Sequence, residues 1–147
     1  MFRGGFSYTM DEKGRVVIPP KFRFDLGQSF IITKGVDGCL FVLRADRFRV
    51  DFEEKFQANP LDPRQRRIQR FFFAEALDAT TDSQGRVAIP SSLRDHAGIQ
   101  PQGEVMVVGL PDRVEIWSKE RWSSYNQSFS DEDLVPPAAE SGGLTIV

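Results

Sequence analysis

Two residue types that carry much of protein chemistry are nearly missing from this chain, which has one cysteine, Cys39, and one histidine, His96. A single thiol cannot close an internal disulfide, and one Cys with one His lacks the ligand spacing of a structural zinc site. Cys39 lies in the apolar run CLFVL and reads as a small buried hydrophobe. His96, in RDHAG near an expected helix end, suits capping or solvation better than a Ser-His-Asp arrangement. Phosphate-binding glycine loops are absent too, because Gly4-Gly5 and Gly142-Gly143 lack the required strand-glycine-helix context. No paired, desolvated carboxylates can be inferred, so the expectation is a protein that is not an enzyme and uses no cofactor. No apolar run approaches the ~20 residues of a membrane span, and no opening run has the order of a secretory signal. The chain is expected to be soluble and cytoplasmic, without a membrane partner.

An overall excess of positive charge is also missing: 19 Lys and Arg stand against 21 Asp and Glu. A simple nucleic-acid binder is usually basic. The distribution is uneven, however. Residues 1–74 carry 14 basic and 9 acidic side chains, a balance of +5, whereas residues 75–147 carry 5 and 12, a balance of −7.

What is present is a repeat. Thr9 to Arg23, TMDEKGRVVIPPKFR, and Thr80 to Arg94, TTDSQGRVAIPSSLR, agree at eight of fifteen positions with a constant offset of 71. In each copy β-branched and aromatic residues flank a short polar turn, which predicts a hairpin. Asp11 and Asp82 can fold their carboxylates onto following amides, and Gly14 and Gly85 can take positive φ. A short helix after each Ile-Pro, two further strands and another helix complete each copy. The strands are placed at Phe30 to Thr33, Cys39 to Leu43, Val105 to Val108 and Arg113 to Trp117, with the later pairs offset by 74. Phe48, Phe52 and Phe56 recur at four-residue spacing, predicting one apolar face of a helix from about Ala45 to Ala58. Trp122 takes the place of Phe48 in the second copy, behind a cap at Ser118.

Between the copies, NPLDPRQRRIQRFFF predicts a helix starting at Asp62-Pro63, with Ile68, Phe71 and Phe72 on its apolar face. Its arginines fit either a basic DNA stripe or a packing and subunit-contact role, and the adjoining phenylalanines favour the second. The expected organisation is a first repeat over 1–60, a linking helix over 61–76, a second repeat over 77–129, and an acidic flexible tail over 130–147, mobile past about Pro136. One copy of ~60 residues is only marginally stable alone, so the two are expected to interlock into one barrel.

The remaining chemistry sits on the repeated loops, with Lys13 and Arg15 in the first and Gln84 and Arg86 in the second. Asp and Gly already make the turn, so arginine is free for another task. It could simply solubilise the loop. A two-stranded ribbon also fits a major groove, where a guanidinium reaches guanine or phosphate acceptors.

MFRG at the N-terminus, the two D-x-x-G-R hairpins, RRIQRFFF and EIWSKERW together resemble the MraZ family of the AbrB-like swapped-hairpin superfamily, over residues 1 to about 128. The resemblance implies a mainly β fold with flanking α-helices, a double-split (swapped-hairpin) β-barrel built from two pseudo-repeats. It further implies a nucleoid-associated transcriptional regulator, acting as a repressor, that binds short direct repeats in double-stranded DNA upstream of its own division and cell-wall gene cluster. Family members form rings of about eight to twelve subunits, and such multivalency offsets weak single contacts. By position, the DNA-contacting residues fall on Lys13, Arg15, Gln84 and Arg86, with Arg3 beside the hairpin and Asp11, Gly14, Asp82 and Gly85 shaping the loops. Gln84 lacks the charge of Lys13, and Leu43 stands where the second copy has Trp117. The competing reading is a protein-interaction module of the antitoxin type without DNA specificity.

Overall fold

A computed structural model describes residues 1–56 and 59–136. In the first copy lie β1 (Gly4–Thr9), β2 (Arg15–Val17), α1 (Pro20–Leu26), β3 (Phe30–Lys34), β4 (Leu40–Arg44) and α2 (Ala45–Phe48), which runs on as a π-helical turn over Arg49–Glu53. After α3 (Pro63–Phe73) come β5 (Leu77–Ala79), β6 (Arg86–Ala88), α4 (Ser91–Ala97), β7 (Glu104–Leu110), β8 (Arg113–Ser118) and α5 (Lys119–Gln127). The mainly β class with flanking helices holds. The helix from Ala45 is interrupted by the π turn, and its expected end at Ala58 lies outside the described residues. Phe48 and Phe52 do share a face and stack at 5.2 Å.

The expected hairpin between the strands flanking each loop does not form. β1 pairs with β7 and β5 with β3, while β2 pairs with β6. Each strand thus finds its partner in the other copy. The cause is visible in β2, whose single inward residue, Val16, is fully buried against Val87, its equivalent at offset 71. A three-residue strand with one buried side chain has no core of its own and gains one only by crossing over.

A pseudo-two-fold axis therefore passes between Val16 and Val87. It also passes between Phe41 and Glu115, because β4 and β8 pair Leu40 with Ile116 and Val42 with Val114 around them. The six-stranded antiparallel sheet has the order β1-β7-β8-β4-β3-β5, and β2 and β6 form a separate ribbon. Among the described residues these pairings leave the sheet with two ends rather than a closed ring. The register refines the repeat: Phe6 pairs with Val107 and its equivalent Leu77 with Ile32, so β3 maps to β7 at 75. One residue is lost again in the β7-β8 turn, and β4 maps to β8 at 74.

The central core mixes both copies, with Phe22, Ile32 and Leu40 against Ile89, Leu93 and Ile116. On the other side of the sheet, Ile31, Leu43, Phe48 and Phe52 pack under α2 and the phenylalanines of α3. Cys39, Val108 and Trp117 lie beside them with Trp122 of α5, and the Cys39 thiol, raised by burial, donates to the Val36 carbonyl. Glu115 is buried on the axis, where it accepts from Trp117 Nε1 at 2.9 Å and Arg113 Nε at 2.8 Å.

Helix starts follow the sequence. Asp62 accepts from the Arg64 amide and Ser118 from the Arg121 amide. Ile68 departs from expectation, since it is 39% exposed while Phe72 packs against Phe52 and Phe56. In the expected tail, Asp131–Leu134 form a 3-10 turn capped by Ser130 and Asp133. The rest of the tail, past Pro136, lies outside the described residues.

Because the copies exchange strands, they should unfold together. Val16→Ala should lower stability by about 2 kcal/mol through lost burial and a cavity. Trp117 and Trp122, both in the second copy, should report the same urea midpoint shift by fluorescence as far-UV circular dichroism does; two separate transitions would contradict the exchange.

Candidate nucleic-acid interface

The two loops are built alike, bond for bond. Asp11 Oδ1 accepts from the Lys13 and Arg15 amides at 2.9 and 2.8 Å, and Asp82 Oδ1 accepts from the Gln84 and Arg86 amides, both at 2.9 Å. Main-chain bonds close each turn, Gly14 to Asp11 and Gly85 to Asp82. The second carboxylate oxygen takes the arginine itself: Arg15 Nε lies 2.6 Å from Asp11 Oδ2, and Arg86 Nε lies 2.9 Å from Asp82 Oδ2. An aspartate on Nε leaves both Nη groups free and fixes the guanidinium plane.

The alternation of β2 and β6 decides where these groups point. Val16 and Val87 face the core, so Arg15, Val17, Arg86 and Ala88 share the outer face of one ribbon. In this register Arg15 and Arg86 are diagonal neighbours, and Arg86 Nη1 approaches Asp11 Oδ2 at 3.8 Å. The separate hairpin expected for each copy is thereby corrected. There is one shared ribbon, and its half-buried arginines lie along its face, with side chains 29% and 27% exposed. The tips carry Glu12, Lys13, Ser83 and Gln84, all exposed.

Each loop is clamped by the opposite copy. The Gly85 carbonyl accepts from the Ile18 amide and the Gly14 carbonyl from the Ile89 amide, both at 2.9 Å. Gly14 and Gly85 both have φ of 79°, and a Cβ on either would collide with a guanidinium, that of Arg94 or Arg23 respectively. Arg94 Nη1 donates to the Ile89 carbonyl at 2.6 Å, while Arg23 Nε is buried with no hydrogen-bond partner among the described residues.

Comparison with known proteins places this arrangement. The family described as "MraZ protein, putative antitoxin-like" matches the chain twice, over residues 1–71 and 72–142. The chain belongs to the MraZ family. Among its relatives is the transcriptional regulator MraZ of Caldanaerobacter subterraneus subsp. tengcongensis, 47% identical over 129 residues, 87% of this chain and 88% of the relative. The protein of the same name from Clostridium beijerinckii is 43% identical over 145 residues, 98% of this chain and all of the relative. That from Lachnoclostridium phytofermentans is 42% identical over 132 residues, 90% and 92% of the two chains. The relatives' shared name describes regulators and not enzymes. No helix among the described residues is long and apolar enough to cross a membrane.

Lys13, Arg15, Gln84 and Arg86 are brought to one shared ribbon and its two ends, where the sequence predicts a separate hairpin for each pair. Arg3 is not. It is exposed ahead of β1, with that six-residue strand, ~20 Å of extended chain, between it and the loop. His96 does not cap its own helix, because its Nε2 lies 3.0 Å from the Gly35 carbonyl and its ring meets Phe71 edge-on. Sequence reasoning missed the clamping pair Arg23 and Arg94, although both belong to the fifteen-residue repeat and match at offset 71.

The aspartates also carry a pH signature. Burial opposes ionisation of Asp11, but the Arg15 amide and guanidinium and the Lys13 amide hold its carboxyl below the ordinary value of 3.8. The Arg86 amide is the largest cause of the same lowering at Asp82, against burial and with help from the Gln84 amide and the Arg86 guanidinium. Folding lowers both values, so their stabilisation is complete above the ordinary carboxylate range and fades as pH falls below it. Asp82→Asn should narrow the gap between melting temperatures at about pH 7 and about pH 3. Gly85→Ala, at positive φ against Arg23, should cost more than about 1 kcal/mol in denaturant titration while Ala88→Ser, on the exposed ribbon face, changes little.

Proposed function

We propose that this protein is a DNA-binding transcriptional regulator that reads double-stranded DNA with the outer face of the β2-β6 ribbon. The observation that carries the reading is the pair of aspartate-held guanidiniums on one face, diagonal neighbours whose Nη groups donate no hydrogen bond among the described residues. A two-stranded ribbon has the width of a major groove, and a fixed guanidinium fork matches guanine O6 and N7 or a phosphate. Lys13 supplies a phosphate contact at one end and Gln84 a base or sugar contact at the other. Asp11 and Asp82 aim the arginines, and Gly14 and Gly85 let the loops close. Arg3 contributes at most a phosphate contact away from the ribbon.

The finer reading is carried over from the resemblance: a nucleoid-associated repressor of its own division and cell-wall gene cluster, acting in the cytoplasm on short direct repeats. A net charge of −2 is compatible with that role because affinity then comes from many ribbons on one ring of about eight to twelve subunits engaging adjacent repeats. The second reading, an antitoxin-like protein-interaction module, takes support from the carboxylates of Asp11, Glu12 and Asp82, which balance the formal charge of Lys13, Arg15 and Arg86 in the loops.

Salt and mutation separate the two. In gel-shift titrations with the DNA upstream of its own gene, Arg15→Ala with Arg86→Ala should weaken binding at least about thirtyfold, at about 1–3 kcal/mol for each base-contacting arginine, and flatten the salt dependence. Affinity retained in the double variant would remove the ribbon arginines from the interface. Salt-independent binding of a protein partner would favour the second reading.

A further inference from the structure

The linking helix α3 has two faces of different character. One face is packed: Gln69 Nε2 donates to the Phe56 carbonyl at 2.7 Å, Thr33 Oγ1 donates to the Phe72 carbonyl at 2.6 Å, and Phe72 lies against Phe52. The other face carries exposed side chains around a half-buried Phe71, whose ring meets His96 edge-on. At 100° per residue Arg64, Arg67, Ile68 and Arg70 fall within one exposed arc, spread over ~9 Å of axis. No carboxylate among the described residues is within ion-pair distance of these three arginines. Leu61, 83% exposed, stands at the head of the same helix, and it is held there. Its amide donates to Asn59 Oδ1 at 2.9 Å and Arg66 Nη1 pins the Pro60 carbonyl at 2.7 Å. Exposed apolar side chains interleaved with unpaired guanidiniums fit a partner that offers apolar groups and carboxylates together.

The chain itself carries such a segment. After α5, Asp131, Glu132 and Asp133 precede Leu134 and Val135, which are 64% and 69% exposed. This segment is also prearranged. The Ser130 amide donates to Asp133 Oδ2 at 2.9 Å, and Phe129 meets Tyr125, which in turn meets Trp117 of β8. Its exposed leucine and valine show that α3 of the same chain does not cover it. The packing of α5 on β7 and β8 and of α3 on β3 sets the two surfaces on different strands.

We infer that the acidic turn Asp131–Val135 of one protomer docks on the Arg64-Arg67-Arg70 face of α3 in a second copy of this chain. Leu134 and Val135 meet Leu61 and Ile68, and Asp131 and Glu132 pair with the arginines. A contact between two different surfaces is heterologous, so every protomer gives one and takes one, and the chain of contacts closes into a ring when its rotation allows. The inference rests on the proposed self-association and says which surfaces make it, leaving the ribbon face free.

Charge exchange in the full-length protein tests it, with mass read by light scattering and sedimentation. Arg64→Glu, Arg67→Glu and Arg70→Glu together should weaken association at least about tenfold, as should Asp131→Lys with Glu132→Lys. Combining both sets should restore assembly, which a merely misfolded variant cannot do. Near-UV circular dichroism of Trp117 and Trp122 should be unchanged throughout. A wild type that stays a single chain would overturn self-association itself. A wild type that assembles, with variants that assemble equally well or are not rescued in combination, would overturn only this pairing. Intact assembly of the α3 variant with reduced DNA affinity and a shallower salt slope would overturn it too, and would assign the arginines to DNA phosphates.

Discussion

The fold depends on one exchange: two three-residue strands, each too short to bury anything alone, lie antiparallel across a pseudo-dyad with Val16 against Val87. From that exchange follow the trans pairings of β1 with β7 and β5 with β3, because each loop hands its chain to the opposite copy. The central core then cannot be divided into two halves that stand independently. The same exchange makes the candidate site. Only a ribbon shared by both copies sets Arg15 and Arg86 on one face, and only the opposite copy supplies the arginine that backs each loop glycine.

The loops show how a neutral-looking sequence can present oriented positive charge. Aspartate cancels much of the arginine's long-range field, yet by accepting from Nε and the main chain it fixes the plane in which the Nη edges lie. The trade is electrostatic reach against geometric definition, and it suits readout of a patterned surface more than bulk attraction to a polyanion. Affinity must then come from repetition, within the chain and across copies of it.

The two copies have diverged where they are not needed for the exchange. On the axis, Phe41 faces Glu115, whose buried carboxylate is satisfied by Arg113 and Trp117. The Arg113 guanidinium in turn lies 4.8 Å over the Phe41 ring. A symmetric pair of carboxylates there would put like charges side by side, and a symmetric pair of phenylalanines would leave the Arg113 Nε and the Trp117 indole without their acceptor. The α3 helix, which covers the β3 side alone, is the other large asymmetry.

Much of this was legible in the sequence. The repeat at offset 71, the Asp-x-x-Gly-Arg turn chemistry, the caps at Asp62 and Ser118 and the Phe48-Phe52 face all follow from local geometry, which side-chain type and spacing determine. Strand partners were not legible, because β2 and β6 read equally well as halves of their own hairpins, and pairing is chosen by what each strand buries. The distance of Arg3 from the loop, the exposure of Ile68 and the clamping by Arg23 and Arg94 were hidden for the same reason. Sequence determined which residues turn, cap and carry charge, since those are short-range properties of the backbone and its neighbours. Tertiary structure alone decided that two arginines 71 positions apart share one face, since that depends on burying Val16 and Val87 against each other.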